Sequence, residues 1–163
     1  MILLGLGANL PSSAGPPIAT LDAALAQLEA SAARVVARSR WFRTAPIPPS
    51  DQAWFVNAVA RLDTALEPME LLAVLQKIER AFGRRRTVRN EARTLDLDLL
   101  DYDGRILDGA NLVLPHPRLH LRAFVLLPLR DVAPGWRHPV LGETVSELIA
   151  KLPADQVAAP LAP

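Results

Sequence analysis

The chain has 163 residues, half of them apolar but only 5% aromatic, and a formal net charge of +1 at pH 7. That length suits one ordinary domain with a core of Leu, Val, Ala and Ile, and the near-neutral charge argues against a general polyanion binder. The absence of cysteine removes disulfides and thiolate metal sites, no uncharged apolar run approaches a membrane span, and Met1-Ile2-Leu3-Leu4-Gly5 lacks the basic lead of a signal peptide, so a cytoplasmic protein is expected.

Met1 to Leu6 reads as a short buried strand running into a glycine turn, Gly5-Leu6-Gly7-Ala8-Asn9-Leu10. This turn lacks the Gly-Lys-Ser/Thr of a P-loop, and its glycines are expected to allow close approach to a ligand. After a loop from Pro11 to Pro17, the stripe Leu21, Leu25, Leu28 predicts a helix from Ile18 to about Ala33. Val35 to Arg43 reads as a strand. Thr44 to Gln52 holds three prolines and cannot be regular. From Phe55 to Asp63 alternation returns, with Val56, Ala58, Ala60 and Leu62 on one face and Phe55, Asn57 and Val59 on the other.

Glu67-Pro68 opens a second helix running to about Phe82 and ended by Gly83. An Arg-rich loop leads to a strand from Arg93 to Leu100, followed by an Asp103-Gly104 hairpin signal with Arg105 to Leu107 returning. Asp101 and Asp103 read as turn and surface residues. Arg122 to Val132 is expected to be helical around Pro128. A last helix spans Thr144 to Leu152, with Thr144 and Glu147 at capping-box positions. Pro153 to Pro163 is Pro/Ala-rich and expected to fray, within a single domain over 1–163. The order strand-helix-strand-strand-helix-strand predicts an α+β, ferredoxin-like βαββαβ core: an antiparallel sheet with helices on one face and the site on the other.

The most informative stretch is Arg93-Thr94-Leu95-Asp96-Leu97-Asp98-Leu99-Leu100. Its alternation turns Leu95, Leu97 and Leu99 to a core and sets Asp96 and Asp98 together on the opposite face, about 6.6 Å apart along the strand. Two carboxylates so placed suit a hard cation such as Mg²⁺, which takes one or two carboxylates plus substrate phosphates. Sixteen of the eighteen basic residues are Arg, six of them between positions 80 and 93. Guanidinium forks for phosphate beside carboxylates for metal point to phosphoryl transfer. Pro115-His116-Pro117 fixes a histidine in extended backbone with Arg122 six residues on, a plausible phosphate pair. Phe55 shares the parity of Asn57, which hints at a stacking residue.

Taken in order, these segments resemble the 6-hydroxymethyl-7,8-dihydropterin pyrophosphokinase family, from Gly7 to about Pro134. The pieces are Gly7-Ala8-Asn9-Leu10, Thr44-Ala45-Pro46, Gln52 with Phe55-Val56-Asn57-Ala58, Ile78-Glu79, Gly83-Arg84-x-Arg86, Arg93 through Asp98, Leu114-Pro115-His116-Pro117 and Arg122 through Leu129. The resemblance implies transfer of pyrophosphate from ATP to the pterin hydroxymethyl group, giving AMP and the pterin diphosphate in folate biosynthesis. It implies that Asp96 and Asp98 hold two Mg²⁺ ions, that Phe55 and Phe124 sandwich the pterin, and that Asn57 with backbone around Thr44 and Ile47 reads its edge. It further implies that Arg84, Arg86, Arg93, His116 and Arg122 hold the phosphates, with Gln76 and Glu79 on the nucleotide side; Arg84, Arg93, Asp96 and Asp98 form the catalytic set. The expected partners are these small molecules alone, bound by a monomer.

The sequence departs from the family where a tryptophan normally precedes Gly-Pro-Arg. Asn90 stands there, and the loop from Arg84 to Arg93 is one residue shorter. Weaker loop closure is expected, so Asn90→Trp should raise activity. A relative with altered substrate or weakened activity is the alternative. A nucleic-acid module using the Arg-rich loop is disfavoured, because Asp96 and Asp98 would repel phosphate on the face where such modules stack bases.

Overall fold

The structure, a computed structural model, describes residues 1–83 and 93–162. Its main sheet holds β1 (Ile2–Ala8), β2 (Arg34–Arg38), β3 (Phe42–Thr44), β4 (Phe55–Asp63), β5 (Asp96–Tyr102) and β8 (Ala158–Pro160). The order is β5-β1-β4-β3-β8, with β2 paired to the other end of β4 and every pairing antiparallel. A separate ribbon pairs β6 (Leu107–Asp108) with β7 (Val113–Leu114). The helices are α1 (Pro17–Ser31), α2 (Pro68–Ala81), α3 (Ala123–Val132) and α4 (Val145–Ala150).

Alternation along the strands separates two cores. Leu4, Leu6, Ala58, Ala60, Leu62, Leu97 and Leu99 bury one sheet face under Leu21, Leu25 and Leu28 of α1 and Leu71, Leu75 and Ile78 of α2. This is the helix-covered face that the strand order predicts. The opposite face is divided. At one end Leu3, Val59 and Leu100 pack beneath Val125, Leu126 and Leu129 of α3 and Val145 and Leu148 of α4. The other end is left to a cavity. Val59 is therefore core, and α3 shares the site's face.

Several local expectations need correction. Gly5 and Gly7 lie within β1 and not in a turn. The strand expected over Val35 to Arg43 breaks after Arg38, because Ser39 pairs with β4 through its side chain as well as its backbone: Ser39 N–H donates to Val59 O at 2.8 Å, and Ser39 Oγ accepts from Val59 N at 3.0 Å. The Asp strand begins at Asp96, since Arg93 is tied to Asn9: Arg93 O accepts from Asn9 N and Leu10 N at 3.0 and 3.1 Å.

A register shift opposite Leu3/Leu4 inserts an extra residue in β5 and switches its faces. Asp101 is thus buried, not a surface residue, and accepts from Trp136 Nε1 at 2.7 Å and Gly104 N at 3.0 Å. Asp103 does sit in the turn, with φ +53° beside Gly104 at +71°. The chain returning from that turn joins β7, not β5. Thr144 and Glu147 form the expected capping box. The tail is not frayed: Ala158–Pro160 adds an edge strand to β3.

Candidate active site

Register brings the site together. Gly7 of β1 lies opposite Asn57 of β4 on one side and Asp96 of β5 on the other, and Gly5 lies opposite Asp98. Directly paired residues share a face, so Asp96, Asp98 and Asn57 stand on one side of the sheet, with Phe55 joining them two residues from Asn57. β3 continues the row: Phe42 is opposite Asn57, and Thr44 is opposite Phe55. Of these, Thr44, Phe55, Asn57, Asp96 and Asp98 line a cavity of about 660 Å³, bounded on its other sides by Pro46, Ile47, Gln52, Arg93, His116, Arg118, Leu121, Arg122, Phe124 and Gln156, among others.

Asn57 is buried and held at both ends. Its Oδ1 accepts from Thr44 Oγ1 at 2.5 Å, and its Nδ2 donates to Leu6 O at 3.2 Å. The amide orientation is therefore fixed, with one N–H and one lone pair in excess of these bonds. Gly7 makes this possible, because a Cβ there would fall on Asn57 Nδ2. Phe55 and Phe124 are half-buried, and the Arg122 guanidinium lies 5.2 Å from the Phe124 ring centre, within cation–π range.

Asp96 and Asp98 are half-buried at the start of β5, and Arg93 Nη1 stands 3.9 Å from Asp96 Oδ2. His116 is anchored beside them: its backbone N–H donates to Leu100 O at 2.8 Å, and its Nδ1 accepts from Arg118 N at 3.1 Å. Burial above all, with the charges of Arg122 and Arg118 adding, lowers its pKa to about 4 against the upward pull of Asp96. The ring is then neutral at pH 7 and carries its proton on Nε2, a hydrogen-bond donor.

Among the described residues no group of three His, Asp or Glu side chains could hold a metal unaided. Two adjacent carboxylates fit Mg²⁺ carried in with a substrate polyphosphate, which brings its own oxygens.

Of the expected site residues, Thr44, Ile47, Phe55, Asn57, Arg93, Asp96, Asp98, His116, Arg122 and Phe124 all line the cavity. Gln76 and Glu79 do not. They lie on α2, and Glu79 is buried with Oε2 accepting from Leu97 N at 2.8 Å. Arg84 and Arg86, with Asn90, lie outside the described residues.

Three residues at the site were not anticipated as site residues. Arg118 lines the cavity next to His116. Asn9, buried, donates to Gln52 Oε1 at 3.1 Å and Ala53 O at 2.9 Å and accepts from Arg93 N at 2.7 Å, which ties the proline-rich loop to the arginine segment. Gln156 enters from the tail. The sequence carried a signal for Arg118, in its spacing from His116, and none for Gln156.

Comparison with known proteins agrees with this arrangement. A family model described as 7,8-dihydro-6-hydroxymethylpterin-pyrophosphokinase (HPPK) matches residues 3–134. A 2-amino-4-hydroxy-6-hydroxymethyldihydropteridine pyrophosphokinase of Methylorubrum extorquens is 45% identical over 150 residues, covering 91% of each chain. One from Pseudomonas aeruginosa is 42% identical over 96% of this chain and 94% of its own. In fold, the chain resembles a crystal structure of wild-type Plasmodium falciparum HPPK-DHPS with pteroate, at TM-score 0.73 and 15% identity, over 92% of this chain and 44% of that one. A family match across most of the length, close relatives of the same size and a cavity lined by the expected side chains lead to one conclusion: the chain belongs to the 7,8-dihydro-6-hydroxymethylpterin-pyrophosphokinase family.

Proposed function

We propose the following division of labour for the family's reaction, transfer of the terminal pyrophosphoryl group of ATP to the hydroxymethyl oxygen of 6-hydroxymethyl-7,8-dihydropterin. The carrying observation is the row Asp96, Gly7, Asn57 across three paired strands. It sets a metal-type carboxylate pair about two strand spacings, roughly 10 Å, from a rigid amide. That separation lets one ligand present a flat polar ring at one end and a phosphate-accepting oxygen at the other.

Phe55 and Phe124 hold the pterin rings between them. Asn57 offers its fixed amide, and backbone around Thr44 and Ile47 completes the edge. The hydrogen bonds to Thr44 and Leu6 keep Asn57 from turning, so its recognition needs no reorganisation when substrate arrives. On the phosphate side Arg93 and Arg122 supply charge and His116 a neutral N–H donor, with Arg118 at the rim. Arg84 and Arg86 belong to the same group, and Gln76 serves the nucleotide from α2, which leads into that segment, while buried Glu79 acts from the same helix by holding Leu97 N–H of β5.

Asp96 and Asp98 would hold Mg²⁺, two ions in our reading, which when bound neutralises phosphate charge and lowers the pKa of a coordinated hydroxyl. The protein groups then do two things: they keep the pterin oxygen in line with the β-phosphorus, and they balance the charge that develops on the leaving AMP. None of the cavity residues needs to act as a nucleophile.

We read 1–163 as one domain acting as a cytoplasmic monomer without a nucleic-acid or membrane partner; among the described residues no helix is long and apolar enough to cross a membrane. Nothing in the fold or the relatives favours an altered substrate. The test is AMP release from ATP and Mg²⁺ with and without the pterin, in wild type and Asp96→Ala. Pterin-dependent AMP that falls by about a thousandfold in the variant is expected for loss of a principal electrostatic group. AMP release independent of the pterin, or unchanged in Asp96→Ala, would overturn the assignment.

A further inference from the structure

One wall of the cavity comes from a part of the chain that the family match does not reach, since that match ends at residue 134. The tail runs along the rim of the pterin end. Ala45 N–H donates to Val157 O at 3.0 Å, Ala158 pairs with Thr44, and Leu161 N–H donates to Trp41 O at 2.8 Å. Just before these ties Gln156 reaches over to the start of α3. Its Oε1 accepts from Ala123 N at 2.8 Å, and its Nε2 donates to Leu121 O at 2.8 Å.

Ala123 N is one of the first-turn N–H groups for which a helix has no internal partner, and the N-cap of α3, Arg122, makes no side-chain cap. Gln156 supplies that cap from 33 residues away. One side chain thereby links the strand that carries Thr44 to the turn that carries Phe124, and it also lines the cavity between them.

We propose that Gln156 is a positioning residue of the pterin seat: by bonding Ala123 N–H and Leu121 C=O together it fixes the gap between the Phe124 ring and the Thr44–Asn57 edge. A ring slot is sensitive to such spacing, because an added gap of 0.5–1 Å forfeits about a quarter to a half of each dispersion contact. Arg93 is held by Asn9, and Asp96 and Asp98 by β5, whereas of the phosphate-side groups Arg122 shares the turn that Gln156 braces. Affinity for the pterin therefore depends on Gln156 more than affinity for the nucleotide does. This inference rests on the assignment of Phe55, Asn57 and Phe124 to the pterin.

The test measures dissociation constants of the full chain for 6-hydroxymethyl-7,8-dihydropterin, in the presence of Mg²⁺ and a non-hydrolysable ATP analogue, and for the analogue alone. Gln156→Ala should weaken the pterin about tenfold, as expected for losing two hydrogen bonds, while the analogue changes less than twofold. Gln156→Glu, which keeps the acceptor for Ala123 N, should recover part of the loss. An unchanged pterin constant in Gln156→Ala, or equal weakening of both ligands with a lowered melting temperature, overturns the proposal. Asn57→Ala in the same assay separates the two levels. If it weakens the pterin while Gln156→Ala does not, only the role of Gln156 fails; if neither variant weakens it, the seat itself is misassigned.

Discussion

At residue scale, the state of two side chains is set by what surrounds them. Asn57 faces the cavity with a fixed amide only because Gly7 leaves it room. Gly7→Ala should displace it, breaking its bonds to Leu6 and Thr44. Overpacking of this kind costs about 1–3 kcal/mol of stability, and the KM for the pterin should rise with little change for ATP. Steady-state kinetics beside urea denaturation read both; unchanged KM for the pterin would show that Asn57 does not read the ring. The second side chain is His116, whose folded pKa of about 4 lies below its ordinary 6.5. Above pH 6.5 the ring is neutral in both folded and unfolded chains, and its contribution to stability is complete. As pH falls from 6.5 toward 4 the unfolded chain takes up a proton that the folded one refuses, so stability drops, by at most about 3 kcal/mol in all. Denaturation of the ligand-free protein between pH 7.5 and 4.5 should show a steeper decline in wild type than in His116→Gln, and parallel curves would contradict the burial argument.

At the scale of elements, β5 is an edge strand of the sheet and the carrier of both carboxylates. Its outer edge is closed by α2, where buried Glu79 accepts the Leu97 N–H that lies between Asp96 and Asp98. Glu79→Ala should strand that donor in an apolar setting, costing about 1–3 kcal/mol and loosening the metal-type pair. A reduced urea midpoint together with weaker Mg²⁺ dependence of activity is the expected result; lower stability with unaltered Mg²⁺ dependence would confine Glu79 to a structural role. The elements that the sequence marked cleanly, β4 by alternation and α2 by Glu67-Pro68, begin at the expected residues. The failures lie where one side chain changes the local rule. Ser39 takes over a strand's pairing, an extra residue reverses the parity of β5 near Asp101, and the Pro/Ala-rich tail finds an open edge on β3. None of these has a period that a window of sequence would show.

For the whole molecule, dividing the second face between α3 and the cavity lets one sheet serve as both core and active site. Binding at such a face stabilises the fold by linkage. MgATP at a hundred times its dissociation constant should add about 2.7 kcal/mol, which for a chain of this size raises the melting temperature by several degrees. Chelation of Mg²⁺ or Asp96→Ala should abolish most of that shift in a thermal melt. An equal shift in EDTA would mean that nucleotide binds without the carboxylate pair.

The sequence by itself determined the local chemistry and the family. The alternation of Leu with Asp from 95 to 99, the spacing of His116 and Arg122, and the parity of Phe55 with Asn57 are short-range properties, readable because a strand's period of two assigns each side chain to a face. Tertiary structure alone decided how those faces meet. Register set Asp96 and Asn57 on either side of Gly7, α3 covered Val59, Trp136 drew Asp101 inward, and the tail brought Gln156 to the start of α3. These depend on contacts between residues tens of positions apart, and a local pattern carries no record of which distant backbone group will need a partner.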